Sequence, residues 1–261
     1  MSMRRYLVVL IAALALALPA ASPAGAVTDG VADGYAHPYV GLVVFYDAGG
    51  NPTHRCSGTL LSPTVFLTAG HCTEGASSAQ VWFEPDVTAD LGYPYEGGTT
   101  GTPYTHPDFV WSIPNTSDLG VVILDEGVYL DTYGVVADAG ALDALATQRG
   151  RQETWFTVVG YGLQEIRPQV LSERTRLQAS VRLVNLRSAL TDGYNIHHTN
   201  APGTGGGTCF GDSGGPVFLG DSNVIVGVTS FGLNGNCVGG GFAYRTDIAT
   251  SLNFIYQYLY L

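Results

Sequence analysis

One serine of this chain stands in a run with little side-chain bulk, Cys209-Phe210-Gly211-Asp212-Ser213-Gly214-Gly215-Pro216. Glycines there free the backbone, and such a turn can aim the N–H groups of Gly211 and Ser213 at one point, which is what a tetrahedral oxyanion needs. A serine hydroxyl is a poor nucleophile without a base. The candidate base is His71, in Phe66-Leu67-Thr68-Ala69-Gly70-His71-Cys72, where a β-rich run ends in small residues that leave the imidazole reachable. The candidate acid is Asp118, in Asn115-Thr116-Ser117-Asp118-Leu119-Gly120, at the mouth of a strongly apolar run, where a carboxylate can orient an imidazole tautomer. Singly, each has a plainer reading as a glycine turn, a structural histidine or a turn aspartate. Together they describe acyl transfer.

The elements that must hold these groups read as short strands between glycine, proline and asparagine, at 42–45, 65–68, 81–83, 119–124, 154–159, 217–219, 224–229 and 242–244. Residues 177–183 alternate apolar and polar, as a strand with one buried face should. This is an all-β signature, a barrel or a sandwich, and the chain after residue 26 is long enough for one β domain or two small barrels. Residues 131–151, richer in Ala, Asp and Gly, are expected to carry the connection between two halves. Ile248, Leu252, Ile255 and Leu259 recur at helical spacing behind Thr246 or Asp247 as a cap, and predict a C-terminal helix docked on the second half.

Composition removes other classes. With 46% hydrophobic and 13% charged residues in 261, the chain is too apolar for disorder and long enough to bury a core. Asp plus Glu number 22 against 11 Lys plus Arg, a net charge of -11 that speaks against a nucleic-acid partner. Every positive side chain is arginine, so a Schiff-base or P-loop lysine is excluded.

Residues 1–26 open with Arg4 and Arg5, run apolar to Leu18, break at Pro19 and end Ala24-Gly25-Ala26, the pattern of a secretory signal peptide. The rival is a membrane anchor, for which about 20 apolar residues are wanted. Secretion favours disulfides over free thiols. Cys56, Cys72, Cys209 and Cys237 allow three connectivities, and proximity favours Cys56 with Cys72 and Cys209 with Cys237. Zinc is the rival there, but no CxxC pair exists and His197-His198 has no ligand partner nearby. No metal and no cofactor are expected.

Thr68-Ala69-Gly70-His71-Cys72, Ser117-Asp118-Leu119-Gly120 and Gly211-Asp212-Ser213-Gly214-Gly215-Pro216, in the order His, Asp, Ser, resemble the trypsin and chymotrypsin-like serine proteases of the S1 family. The resemblance covers essentially all of residues 27–261. It implies two six-stranded antiparallel β-barrels, an active site in the cleft between them and a C-terminal helix. It implies a secreted, monomeric endopeptidase acting on proteins or peptides, with no membrane attachment once the signal is removed. Ser213 is then the nucleophile, His71 the general base and acid, Asp118 the orienting carboxylate, and the Gly211 and Ser213 amides the oxyanion hole. Ser230-Phe231-Gly232 would pair with substrate backbone, and Val158-Val159-Gly160-Tyr161-Gly162 would begin the second barrel.

Alignment back from Ser213 puts Gly207 at the floor of the specificity pocket, with Thr208 also expected to bind substrate and Gly232 and Gly241 along an open slot. No charge is then available for Lys or Arg, and an aromatic or large aliphatic residue is expected before the cut. The family inserts a new N-terminus, usually Ile-Val-Gly-Gly, against the residue before the nucleophile, here Asp212. That tetrapeptide is absent. Val27-Thr28-Asp29-Gly30, which signal cleavage would itself expose, is the nearest candidate, and Val31-Ala32-Asp33-Gly34 would require a second cut. Gly70 replaces the usual Ala, and Tyr161 and Phe231 stand where tryptophans are common. Two other readings remain open: a catalytically inactive protease-like binding protein, and an esterase. For the latter the letters G-x-S-x-G fit around Ser213, but that motif wants a strand-to-helix turn and Ser-Asp-His order.

Overall fold

The computed structural model describes residues 27–28, 30–88, 92–147, 153–164, 170–200 and 206–260. The expected signal segment, 1–26, lies outside them, as do Asp29 and residues 148–151 of the expected connection.

After a short β1 (Val31–Ala32), six strands follow: β2 (Val40–Tyr46), β3 (Pro52–Leu60), β4 (Val65–Thr68), β5 (Ser78–Trp82), β6 (Thr99–Thr105) and β7 (Gly120–Leu124). They close a barrel in the order β2-β3-β4-β7-β6-β5, with β5 returning to β2 at Leu42↔Trp82. β2, VGLVVFY, is buried along its whole length, so its apolar run has no polar face to alternate with.

The second half holds β8 (Val135–Val136), β9 (Trp155–Gly160), β10 (Leu177–Asn185), β11 (Asn195–Asn200), β12 (Pro216–Leu219), β13 (Val224–Gly232) and β14 (Gly239–Arg245). Six of these form a second antiparallel ring, β9-β10-β11-β14-β13-β12, closed where β12 meets β9. β1 adds to the edge of β10, and β8 runs parallel to β13. The burial of β10 alternates, as its sequence predicts. The fold is therefore all-β with two six-stranded barrels, and every run read as a strand falls wholly or largely within an observed one.

β3, β6 and β11 carry no such signal. β11 reads NIHHTN and is polar, yet it is buried almost throughout. Its place between β10 and β14 decides its state, not its own residues.

Three helices complete the described chain: α1 (Gly70–Thr73), α2 (Asp143–Thr147) and α3 (Ala249–Leu259). α3 is the predicted C-terminal helix, but two details differ. Its N-cap is Ile248, without a side-chain cap bond. Thr246 and Asp247 are engaged elsewhere: Thr246 donates to the Ile225 carbonyl, and the Asp247 carboxylate accepts from Arg245 and the Leu142 amide. The helix also turns back to the first barrel. Phe254 lies 4.8 Å from the His106 ring and Tyr258 lies 5.2 Å from the Tyr104 ring. With the second ring already closed by β9 and β12, the apolar stripe finds its cover on β6 and the segment after it.

One apolar core runs from the first barrel into Phe218, Ile225, Val228 and Tyr244 of the second, and a further cluster, which includes Val27, fills the second barrel. The buried Arg176 guanidinium ties the N-terminal segment to this seam, donating to Asp33 at 2.8 Å and to the carbonyls of Gly34, Val40 and Phe83. Burial raises the Asp33 pKa, but His37 and Arg176 outweigh it and hold the carboxyl below its ordinary value. The disulfides join Cys56 to Cys72 and Cys209 to Cys237, closing separations of 16 and 28 residues. Each loop closure contributes on the order of 3 kcal/mol in the chain-entropy account.

Candidate active site

β4 and β7 are paired antiparallel with Thr68 opposite Gly120. Chain leaving the end of β4 enters α1, and chain entering the start of β7 passes Asp118, so one ladder brings His71 and Asp118 to the same edge of the first barrel. Asp118 is fully buried. Its carboxylate accepts the His71 backbone N–H at 2.8 Å, faces His71 Nδ1 at 2.9 and 3.1 Å, and accepts the Ser230 hydroxyl at 2.5 Å. Three donors thus converge on one buried acid, and the imidazole is turned by two separate atoms of its residue. Gly70 has a physical reason: a Cβ there would lie 3.0 Å from the Leu119 carbonyl and 3.0 Å from the Phe109 ring. The half-exposed Trp111 flanks the imidazole, ring centroids 5.3 Å apart.

Ser213 arrives from the other barrel, in the loop that precedes β12. The loop is pinned from both sides. Ser57 N–H donates to the Ser213 carbonyl at 2.8 Å, and Gly214 N–H to the Thr229 carbonyl at 2.8 Å. Gly214 has φ +80, and a Cβ there would stand 2.0 Å from Thr68 Oγ1 and 2.9 Å from Ala69 N. Only glycine lets the serine loop approach the strand end that leads into His71. Among the described residues no hydrogen bond joins Ser213 Oγ to His71, and neither the Gly211 nor the Ser213 N–H is given to another group. A free pair of donors beside a hydroxyl is what an incoming carbonyl oxygen would meet. Cys56 Sγ, Cys72 Sγ and a His71 nitrogen lie within 4.8 Å of one another, but the sulfurs are bonded to each other and offer no thiolate to a metal.

Asp212 is buried beneath this loop, accepting the N–H groups of Gly162 at 2.8 Å and Cys209 at 2.9 Å. Burial pushes its pKa up to about 7, against those two bonds and the Arg55 charge. Val27 is fully buried, and Thr28 pairs antiparallel with Gly207, whose N–H donates to the Thr28 carbonyl at 3.0 Å. The segment therefore docks five positions from Asp212. With Ala26 attached, the Val27 nitrogen is an amide without charge.

A cavity of about 160 Å³ opens beside Ser213. Of the residues expected around it, Thr208, Ser230, Phe231 and Gly232 line it, and so does the Cys209–Cys237 disulfide. Gly207 and Gly241 do not. The Asn200 side chain covers Gly207, where an added Cβ would fall 1.7 Å from Asn200 Oδ1, and the His198 ring covers Gly241 at 2.3 Å. Asn200 takes the wall instead, its amide donating to the Thr208 and Cys237 carbonyls. No lining residue is charged. Nothing in the sequence marks Asn200, Ser57 or Trp111, because an isolated polar or aromatic residue outside the motifs has no spacing of its own.

The family model described as Trypsin matches residues 30–255. Among curated relatives, Serine protease 1 of Drosophila melanogaster is 29% identical over 236 residues, spanning 84% of this chain and 79% of that protein. Trypsin of Saccharopolyspora erythraea is 30% identical over 203 residues, spanning 75% and 82%. Among solved structures, a collagenase superposes with a TM-score of 0.68 at 19% identity, over 90% of this chain and 99% of that one.

Proposed function

The chain belongs to the trypsin family of serine proteases, and on that premise we propose that it is a secreted endopeptidase that cleaves proteins or peptides through an acyl-enzyme on Ser213. His71 takes the Ser213 proton and returns it to the leaving amine, Asp118 holds the imidazole and steadies its cation, and the Gly211 and Ser213 amides receive the oxyanion. The observation that supports this reading most is the buried Asp118 gripping both nitrogens of His71 that face it, at the edge against which the glycine-rich serine loop packs. Removal of residues 1–26 is the proposed route out of the cell. It would also free the Val27 ammonium to pair with Asp212, so that no separate propeptide is needed.

The uncharged cavity, walled by Phe231, Val238, Gly232 and Gly240, suits an aromatic or large aliphatic residue before the scissile bond better than Lys or Arg. Phenylmethylsulfonyl fluoride tests the whole reading: it should add one sulfonyl group to Ser213, seen by peptide mass, and Ser213→Ala should abolish both labelling and hydrolysis while leaving the melting curve in place. Hydrolysis that survives in Ser213→Ala would refute Ser213 as the nucleophile, and a wild type that neither takes the label nor hydrolyses peptides would leave an inactive binding protein on the same barrels.

A further inference from the structure

Ser57 follows Cys56 in β3 and is fully buried, and each of its polar groups is engaged. Its hydroxyl donates to the Gly211 carbonyl at 2.8 Å and accepts the Tyr161 N–H at 2.9 Å. Its own N–H donates to the Ser213 carbonyl at 2.8 Å, and its carbonyl accepts the Thr68 hydroxyl at 2.8 Å. One first-barrel residue thus holds two carbonyls of the second-barrel loop that carries the nucleophile, and it is itself held by the strand that leads to His71.

The two carbonyls are not arbitrary. The Gly211 carbonyl belongs to the peptide unit before the one that bears the Ser213 N–H, and the Ser213 carbonyl belongs to the unit after it. Fixing both brackets the direction of that N–H. The loop needs such a hold, because Gly211 at φ +97 and Gly214 at φ +80 flank it with residues whose backbone rotates freely.

We propose that Ser57 is a positioning residue for the oxyanion site: through its hydroxyl it locks the peptide between Gly211 and Asp212, and with it the aim of the Ser213 N–H donor. This rests on Ser213 being the nucleophile. Without the hydroxyl, the Gly211 carbonyl is free to swing and the buried Tyr161 N–H loses its acceptor. A hole whose donors wander stabilises the tetrahedral state less, while ground-state binding in the pocket is untouched.

Ser57→Ala deletes the hydroxyl and keeps the Cβ. Measured on a chromogenic peptide and normalised to sites titrated with sulfonyl fluoride, it is expected to lose about tenfold in kcat with KM held within about twofold. A peptide boronic acid, which forms a tetrahedral adduct, should bind about tenfold more weakly, because it draws on the same donors. If the alanine variant does not accumulate folded, Ser57→Cys keeps a weak donor in the same place and should fall between the two. Unchanged kcat per titrated site, or a loss carried by KM with boronate affinity intact, would overturn the proposal while Ser213 chemistry stands. A wild type inert toward both substrate and sulfonyl fluoride would overturn that chemistry and this proposal with it.

Discussion

The proposed pairing of Asp212 with a Val27 ammonium predicts a change in stability that pH can read. While residues precede Val27, the Asp212 carboxyl lies buried with two N–H donors, and burial lifts its pKa to about 7 from an ordinary 3.8. Between those values an unfolded chain has released a proton that the folded chain keeps, so stability falls as pH rises through the window and levels off above it. About three pH units at about 1.4 kcal/mol each make the loss on the order of 4 kcal/mol. A chain that begins at Val27 carries an ammonium on the segment already docked by Thr28 and Gly207. Paired with it, the carboxyl ionises at low pH and the loss disappears. The comparison is therefore between a chain that begins at Val27 and one that begins at Ala26. With a melting shift of about 2–4 °C per kcal/mol for a domain of this size, the shorter form should melt on the order of 10 °C higher near pH 7.5. The gap should narrow markedly near pH 4, where Asp212 is protonated in the longer form. Scanning fluorimetry across that range is sufficient. Equal melting temperatures near neutral pH, or a gap of the same size at both ends, would show that the Val27 nitrogen does not reach Asp212.

Three further outcomes follow from the geometry. Asp118→Asn should fold and lose about 10⁴ in kcat, because an amide no longer fixes the His71 tautomer, and a loss under tenfold in a chromogenic assay would contradict the role given to Asp118. Gly232 borders the cavity, and a Cβ there would meet only the Gly240 carbonyl, at 4.0 Å. Gly232→Val should therefore fold normally but block large side chains, lowering the ratio of Phe to Ala cleavage by tenfold or more in a peptide panel. Gly214→Ala should do the reverse, destabilising by more than about 2 kcal/mol through its φ of +80 and the clash with Thr68 Oγ1, measurable as a fallen melting temperature.

How far each feature could be read in advance depended on whether its signal was local. His71 and Asp118 each sit beside an apolar strand, and both strands were visible as runs of Val, Leu, Ile and Phe, so the ladder that unites them was half written in the chain. β6 and β11 were invisible because TTGTPYT and NIHHTN satisfy no pattern of their own; neighbours on both sides make them strands. Gly207 and Gly241 do not line the cavity for a related reason. Alignment places backbone, whereas Asn200 and His198 cover those glycines with side chains that come from β11, the strand without a signal. The cap of α3 failed because Thr246 and Asp247 had stronger partners across the fold in Ile225, Arg245 and Leu142.

The same distinction explains why this site needs both barrels. The histidine and the acid are set by one ladder within the first barrel, and the serine by a glycine-rich loop of the second. Neither arrangement fixes its distance from the other. That distance rests on contacts across the seam: Ser230 from β13 on Asp118, Ser57 from β3 on the Ser213 loop, and Gly214 against Thr68 and Ala69. Each uses a small residue, since a longer side chain would hold the barrels apart. Substitutions that enlarge these seam positions should therefore impair catalysis more than equal changes on the outer faces of the same strands. Within each barrel the ladders would remain, while the gap between His71 and Ser213, which the proposed mechanism has the imidazole bridge, would widen.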